Sequence, residues 1–153
     1  MSAPILIFGW GNPSRGDDAL GPLFVERIEA RNYPTVECLT DFQLQVEHAL
    51  DLKDRQRVLF VDASFDAPAP FSVVSILPER DASFTTHAMT PQAVLHAYAR
   101  LENRPPPSSW LLAIRGEKFE LGDALSPAAG QHLAAALAWA ETWVKDEETS
   151  SES

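Results

Sequence analysis

The stretch Ile5-Leu-Ile-Phe-Gly-Trp-Gly-Asn-Pro-Ser-Arg-Gly-Asp-Asp-Ala-Leu-Gly21 decides the fold. Pro4–Phe8 is a short continuous apolar run, long enough for a strand buried on both faces and too short for a helix. From Ala19 onward, Leu20, Leu23, Phe24 and Ile28 fall at helical spacing, and the pattern ends near Arg31-Asn32-Tyr33-Pro34. A glycine-rich turn therefore joins a strand to a helix. Such turns commonly bind phosphate through backbone N–H groups. Here two adjacent carboxylates, Asp17 and Asp18, stand at the helix entrance, so the turn suits a cation better than an anion. Gly9, Gly11 and Gly16 also miss the Gly-x-Gly-x-x-Gly dinucleotide spacing, because position 14 is Ser.

Working outward, Thr35–Leu39 reads as a second strand and Gln43–Lys53 as an amphipathic helix. Arg57–Ala63 is a third buried strand, with Asp62 at its end. This β-α-β-α-β order predicts a parallel sheet with right-handed crossovers. Phe71–Leu77 follows after only a short connection, too short for a parallel return, so it is expected to be antiparallel. Thr90-Pro91 gives an N-cap followed by proline, opening a helix to Leu101 with Val94, Leu95, Tyr98 and Leu101 inside. Arg104-Pro-Pro-Pro107 stops it, and Trp110–Ile114 is a fifth strand. Ser126-Pro127 repeats the cap signal and opens a last helix facing inward through Leu133, Leu137, Ala140 and Val144. The expectation is a three-layer α/β fold: a five-stranded, mostly parallel twisted sheet with helices on both faces and one antiparallel strand.

The chain has 153 residues, which suits a single domain over 1–145, and an acidic tail over 146–153 reads as disordered. A net charge of −10 argues against nucleic acid and favours a basic or metal-carrying partner. Cys38 is the only cysteine, so no internal disulfide can form, and its strand-like surroundings suit a small buried apolar residue. There is no signal-peptide pattern, and no apolar run approaches the ~18 residues of a membrane span. A cytoplasmic protein without membrane contact is the expectation.

Ligands of open parallel sheets bind outside the carboxyl ends of the strands. Asp17 and Asp18 follow the first strand and Asp62 ends the third, its neighbour in a doubly wound order. His87 lies in the loop leading to the third helix. If the fourth strand is antiparallel, that loop starts at the opposite edge and must travel back. Two carboxylates and one imidazole suit a divalent ion such as nickel, zinc or manganese and leave positions open for substrate or water. Simpler roles stand beside this one: helix capping for Asp17 or Asp18, loop amides for Asp62, a surface position for His87. Asp41, Glu47 and His48 form a further polar cluster, readable as a partner-binding edge or as a solvated helix face. His96 and His132 carry weaker signals. No Gly-x-Ser-x-Gly elbow, Cys–His pairing or Walker sequence is present.

Gly9-Trp-Gly-Asn-Pro-Ser-Arg-Gly-Asp-Asp-Ala-Leu-Gly21 resembles the opening motif of the hydrogenase maturation endopeptidases. The resemblance continues through Phe60-Val-Asp-Ala63, Thr86-His-Ala-Met-Thr90 and Ile114-Arg-Gly-Glu-Lys-Phe-Glu-Leu-Gly-Asp-Ala-Leu-Ser126. It implies an enzyme that removes the C-terminal extension of the nickel-loaded [NiFe] hydrogenase large-subunit precursor. Nickel would be carried by the substrate, and the metal-contacting and catalytic positions would fall on Asp18, Asp62 and His87. Asp17 becomes helix-entrance support. Where many members have Asp-Gly-Gly-Thr after the second strand, this chain has Asp41-Phe-Gln-Leu-Gln-Val-Glu-His48. That resembles the branch serving soluble NAD-reducing hydrogenases. Two other classes fit the same residues: a non-catalytic nickel-sensing assembly factor, and a metallohydrolase with its own bound metal.

Overall fold

The computed structural model describes residues 2–80 and 89–146. His87 and residues 147–153 of the acidic tail lie outside the described residues. Strands β1 (Ile5–Trp10), β2 (Val36–Asp41), β3 (Arg57–Ser64), β4 (Phe71–Ile76) and β5 (Ser108–Arg115) form one sheet in the order β2-β1-β3-β5-β4. All neighbours are parallel except β4, which pairs antiparallel with β5. The short link after β3 had predicted that reversal. β1 runs two residues past the expected end, and all six of its residues are buried.

Helices α1 (Leu20–Glu29) and α3 (Pro127–Lys145) cover one face. Their Leu20, Phe24, Ile28, Leu133, Leu137, Ala140 and Val144 pack on Ile5, Ile7, Leu59, Val61 and Leu112. On the other face, α2 (Pro91–Glu102) sets Val94, Leu95 and Tyr98 against Leu6, Phe8, Val58 and Phe60. The result is the expected three layers. Both proline-led caps form: Thr90 Oγ1 accepts from the Ala93 N–H at 3.1 Å, and Ser126 Oγ from the Ala129 N–H at 3.2 Å. At the other end of α3, the Arg57 guanidinium donates to the Trp143 carbonyl at 2.8 Å, satisfying one of its orphan acceptors.

Two expectations change. The segment expected as an amphipathic helix over Gln43–Lys53 is a 3₁₀ helix over Val46–Leu52. Ala49 and Leu52 are its inward residues, three apart, which suits a three-residue period; Val46 and Leu50 are exposed. Leu101 is also exposed rather than inside, because the inward stripe of α2 ends at Tyr98 and the helix stops at Asn103 in the left-handed region.

β4 ends level with Ser109, at the amino edge of the parallel strands. By Glu79, whose N–H donates to the Gln92 carbonyl at 3.0 Å, the chain has returned to the first turn of α2. Met89, on the far side of 81–88, donates to the Leu44 carbonyl at 3.3 Å. Both flanks of that stretch thus reach the start of α2, the return the topology demanded.

Candidate functional site

The site is built on the exit from β1. Gly11 has a φ of +150°, and a Cβ there would meet the Asp18 carbonyl oxygen at 2.0 Å. Gly21 lies so close to β1 that a Cβ would sit 2.4 Å from the Trp10 carbonyl oxygen. These close approaches bring the turn and the start of α1 against the strand. They place a short 3₁₀ turn, Gly16–Ala19, directly over the sheet's carboxyl edge.

The two aspartates of that turn diverge. Asp17 is fully buried and caps nothing in its own helix. It reaches instead to the loop between β5 and α3. Its Oδ2 accepts from the Glu117 N–H at 2.7 Å, the Lys118 N–H at 3.0 Å and the Ser126 hydroxyl at 2.7 Å. Its Oδ1 accepts from the Ser126 N–H at 2.7 Å. Burial alone would raise its pKa, but the Ser126 hydroxyl and three backbone donors outweigh it and hold the carboxyl below its ordinary value. Asp17 is therefore support for the entrance of α3, not of α1. Backbone bonds complete the clasp: Asp17 N–H to the Lys118 carbonyl at 2.6 Å, Gly16 N–H to Asp123 at 3.1 Å, and Gly122 N–H to Ser14 at 2.8 Å.

Asp18 turns the other way. Its Oδ2 accepts from the Asn12 N–H at 2.7 Å, which fixes it across the turn. Asp62 lies near the end of β3 and alternates with Val58 and Phe60, so it stands on the α2 face. Burial and the charge of Asp18 push the Asp62 carboxyl up to about 7, against a backbone hydrogen bond from Ala63 that lowers it. The adjacency of β1 and β3 thus sets Asp18 and Asp62 at one edge of the sheet, near enough for the charge of the first to act on the second. Among the described residues no three His, Cys, Asp or Glu side chains converge as a metal site.

The raised pKa of Asp62 has a sign that can be measured. Because the folded value exceeds the unfolded value near 3.8, this group favours folding fully below pH 4, and that contribution is lost as pH rises through about 7. The cost at pH 8 is on the order of 4 kcal/mol, or roughly 10 °C in Tm for a domain of this size. Asp62→Asn is therefore expected to melt higher than wild type at pH 8 and nearly level with it at pH 4. Equal differences in Tm at both pH values would contradict the assignment.

The remaining candidates separate by burial. His48 is not on a solvated face: its side chain is 12% exposed and its ring packs edge-on against Phe8 at 4.4 Å. Its Nε2 lies 3.2 Å from Asp41 Oδ2, and its Nδ1 accepts from the Gln45 N–H at 2.8 Å. His132 lies 2.9 Å through Nδ1 from the Arg115 carbonyl, a structural contact. Cys38 is half-buried and packs on the core; burial first, then the charges of Glu29 and Glu37, push its thiol up to about 11, away from nucleophilic use. Sequence reasoning missed the partners of the two aspartates, Asn12 for one and Glu117, Lys118 and Ser126 for the other. All but the Ser126 hydroxyl bond through backbone N–H groups, which side-chain chemistry does not advertise.

A doubly wound sheet with two carboxylates at the carboxyl edge of its strands belongs to the α/β proteins whose ligands bind at that edge. Within that class, solved structures of hydrogenase maturation proteases share this fold. HycI from Thermococcus kodakarensis KOD1 superposes with a TM-score of 0.74 at 20% identity, covering 94% of each chain. HybD from E. coli, a hydrogenase maturating endopeptidase, gives 0.73 at 23% identity over 95% of this chain and 93% of its own. A hydrogenase 2 maturation peptidase from a Thaumarchaeota archaeon gives 0.63 at 20% identity, covering 92% of this chain and 97% of that one. No family model and no curated protein matches the chain.

Proposed function

We propose that this chain is an endopeptidase that removes the C-terminal extension of a nickel-loaded [NiFe] hydrogenase large-subunit precursor. One observation carries the reading: Asp18 and Asp62 lie close enough at the carboxyl edge for the charge of the first to raise the second, in a fold shared over nearly its whole length with hydrogenase maturation proteases. The motif resemblance along the chain supports it independently. Nickel arrives with the substrate. Asp18, Asp62 and His87 contact it, and the ion polarises the scissile carbonyl or activates water. His87 stands two residues before Met89, which is tied to Leu44 just past β2.

The state of Asp62 fits this use. With its carboxyl pushed up to about 7, it carries a proton for part of the time at neutral pH. An arriving divalent ion displaces that proton and relieves the repulsion from Asp18. The net charge of −10 disfavours nucleic acid as an alternative partner. No helix among the described residues is long and apolar enough to cross a membrane. The Asp41–His48 segment favours precursors of soluble NAD-reducing hydrogenases, and the setting is cytoplasmic.

The test is incubation of the purified protein with candidate precursor, with and without nickel, read by intact mass. A shortened large subunit is expected only with nickel. A stable complex without cleavage would instead mean a sensor of nickel loading. Cleavage that ignores nickel, together with stoichiometric metal in the isolated protein, would mean a metallohydrolase with its own ion.

A further inference from the structure

Asp41 and His48 form a second polar pair at the same edge. Asp41 ends β2 and lies in register with Trp10 of β1. Gly9 is opposite Val61, which sets Asp62 level with Trp10 on the other side. Asp41, Trp10 and Asp62 therefore form one row across three strands, with Asp41 and Asp62 two strand spacings, roughly 10 Å, apart. The alternation puts all three on the α2 face: Asp41 with Leu39, Trp10 with Phe8, Asp62 with Phe60. Trp10 is buried and forms the floor between the two carboxylates. Asp41 also touches the turn that carries Asp18, since its carbonyl accepts from the Gly11 N–H at 3.1 Å.

The Asp41 carboxylate is held but not covered. Oδ1 accepts from the Phe42 N–H at 2.7 Å, Oδ2 meets His48 Nε2 at 3.2 Å, and the side chain remains 41% exposed. The tautomer of His48 follows from its partners. Nδ1 accepts a backbone N–H, so it carries no proton, and Nε2–H donates to Asp41. A mostly covered imidazole with one tautomer thus locks the rotamer of a half-exposed carboxylate that stands in the same row as Asp62. A cap for a 3₁₀ turn requires only the Nδ1 bond; the second bond has no structural duty in that turn.

We propose that Asp41 is the proton acceptor of the peptide-bond cleavage and that His48 is its positioning residue. The inference rests on the endopeptidase reading above. Water bonds through its oxygen to the scissile carbonyl carbon while one of its protons passes to Asp41. The C–N bond then breaks, and Asp41 returns that proton to the leaving amine nitrogen. The products are a carboxylic acid and an amine, and Asp41 is regenerated as carboxylate. The metal contacts and the proton acceptor are thus different groups, separated by the Trp10 floor.

Three variants of the full chain test this on nickel-loaded precursor, with kcat, KM and Tm measured for each. Asp41→Asn is expected to lower kcat about 100-fold with little change in KM. His48→Asn keeps an acceptor where Nδ1 stands but loses the donor to Asp41; it should keep Tm and lose about tenfold in kcat. His48→Gln keeps a donor where Nε2 stands but loses the acceptor for Gln45; it should lose Tm and keep most of kcat. If kcat follows Tm across the two His48 variants, the pair is structural and the proposal is overturned. Wild-type kcat in Asp41→Asn overturns it as well. Failure of wild type to cut any precursor would instead sink the endopeptidase reading itself.

Discussion

Asp17→Ala is expected to destabilise the fold by about 4 kcal/mol or more, a large part of the stability of an ordinary domain. The substitution removes the acceptor of four hydrogen bonds at a fully buried position. Glu117, Lys118 and Ser126 then keep N–H groups with no partner, and the Ser126 hydroxyl loses the acceptor that orients it as the cap of α3. Water cannot replace the carboxylate without opening the clasp. Asp17→Asn should fall between wild type and alanine, because its amide turns a donor toward donors on one side. The pH dependence is opposite to that of Asp62. Asp17 sits below its ordinary pKa, so its contribution is present at neutral pH and is lost as pH falls through its depressed folded value. Urea unfolding of the variants at pH 7 checks the magnitude. A loss under about 1 kcal/mol for alanine would contradict this account.

Asp18→Ala is expected to do the reverse: keep the fold and abolish processing. Asp18 gives the fold one hydrogen bond, from the half-buried Asn12 N–H, which solvent can supply in its absence. The proposed contact with the substrate's nickel has no such substitute. Processing of nickel-loaded precursor should fall by at least 100-fold, with Tm within a few degrees of wild type. A second readout is independent of activity. Removing the Asp18 charge takes away one of the two causes that raise Asp62, so the Asp62 carboxyl should titrate below about 7 in this variant. Carboxyl chemical shifts followed against pH measure that directly. Normal maturation of the large subunit by this variant would sink the site assignment.

Neighbouring aspartates thus have unrelated duties, and the sequence shows why that is hard to read. Local patterns were legible: the apolar run of β1, the reversal at β4 from a short link, the proline-led caps at Thr90 and Ser126. Each depends on residues within a few positions of one another. That Asp18 and Asp62 share one edge was also legible, because strand order alone brings their strands together. The partners of Asp17 were not, since Ser126 is 109 residues away and most of the donors are backbone groups. The 3₁₀ helix at Val46–Leu52 was misread as amphipathic because Val46 and Leu50 are apolar yet face outward. Side-chain type there conflicts with the burial that tertiary packing imposes. His48, with Asp41 and Glu47, was readable as a partner-binding edge or as a solvated helix face; its neighbours in the fold are Phe8 and Asp41.

The clasp around Asp17 also orders events during synthesis. The turn that positions Asp18 is made long before its partners, since Asp17 stands 100 residues ahead of Glu117 and 109 ahead of Ser126, yet its fixed shape depends on them. Long-range contacts of this kind close late in folding. A nascent chain therefore carries both carboxylates of the site long before it can hold the first of them still. The edge that carries Asp18 takes its final shape only once the connection between β5 and α3 has docked.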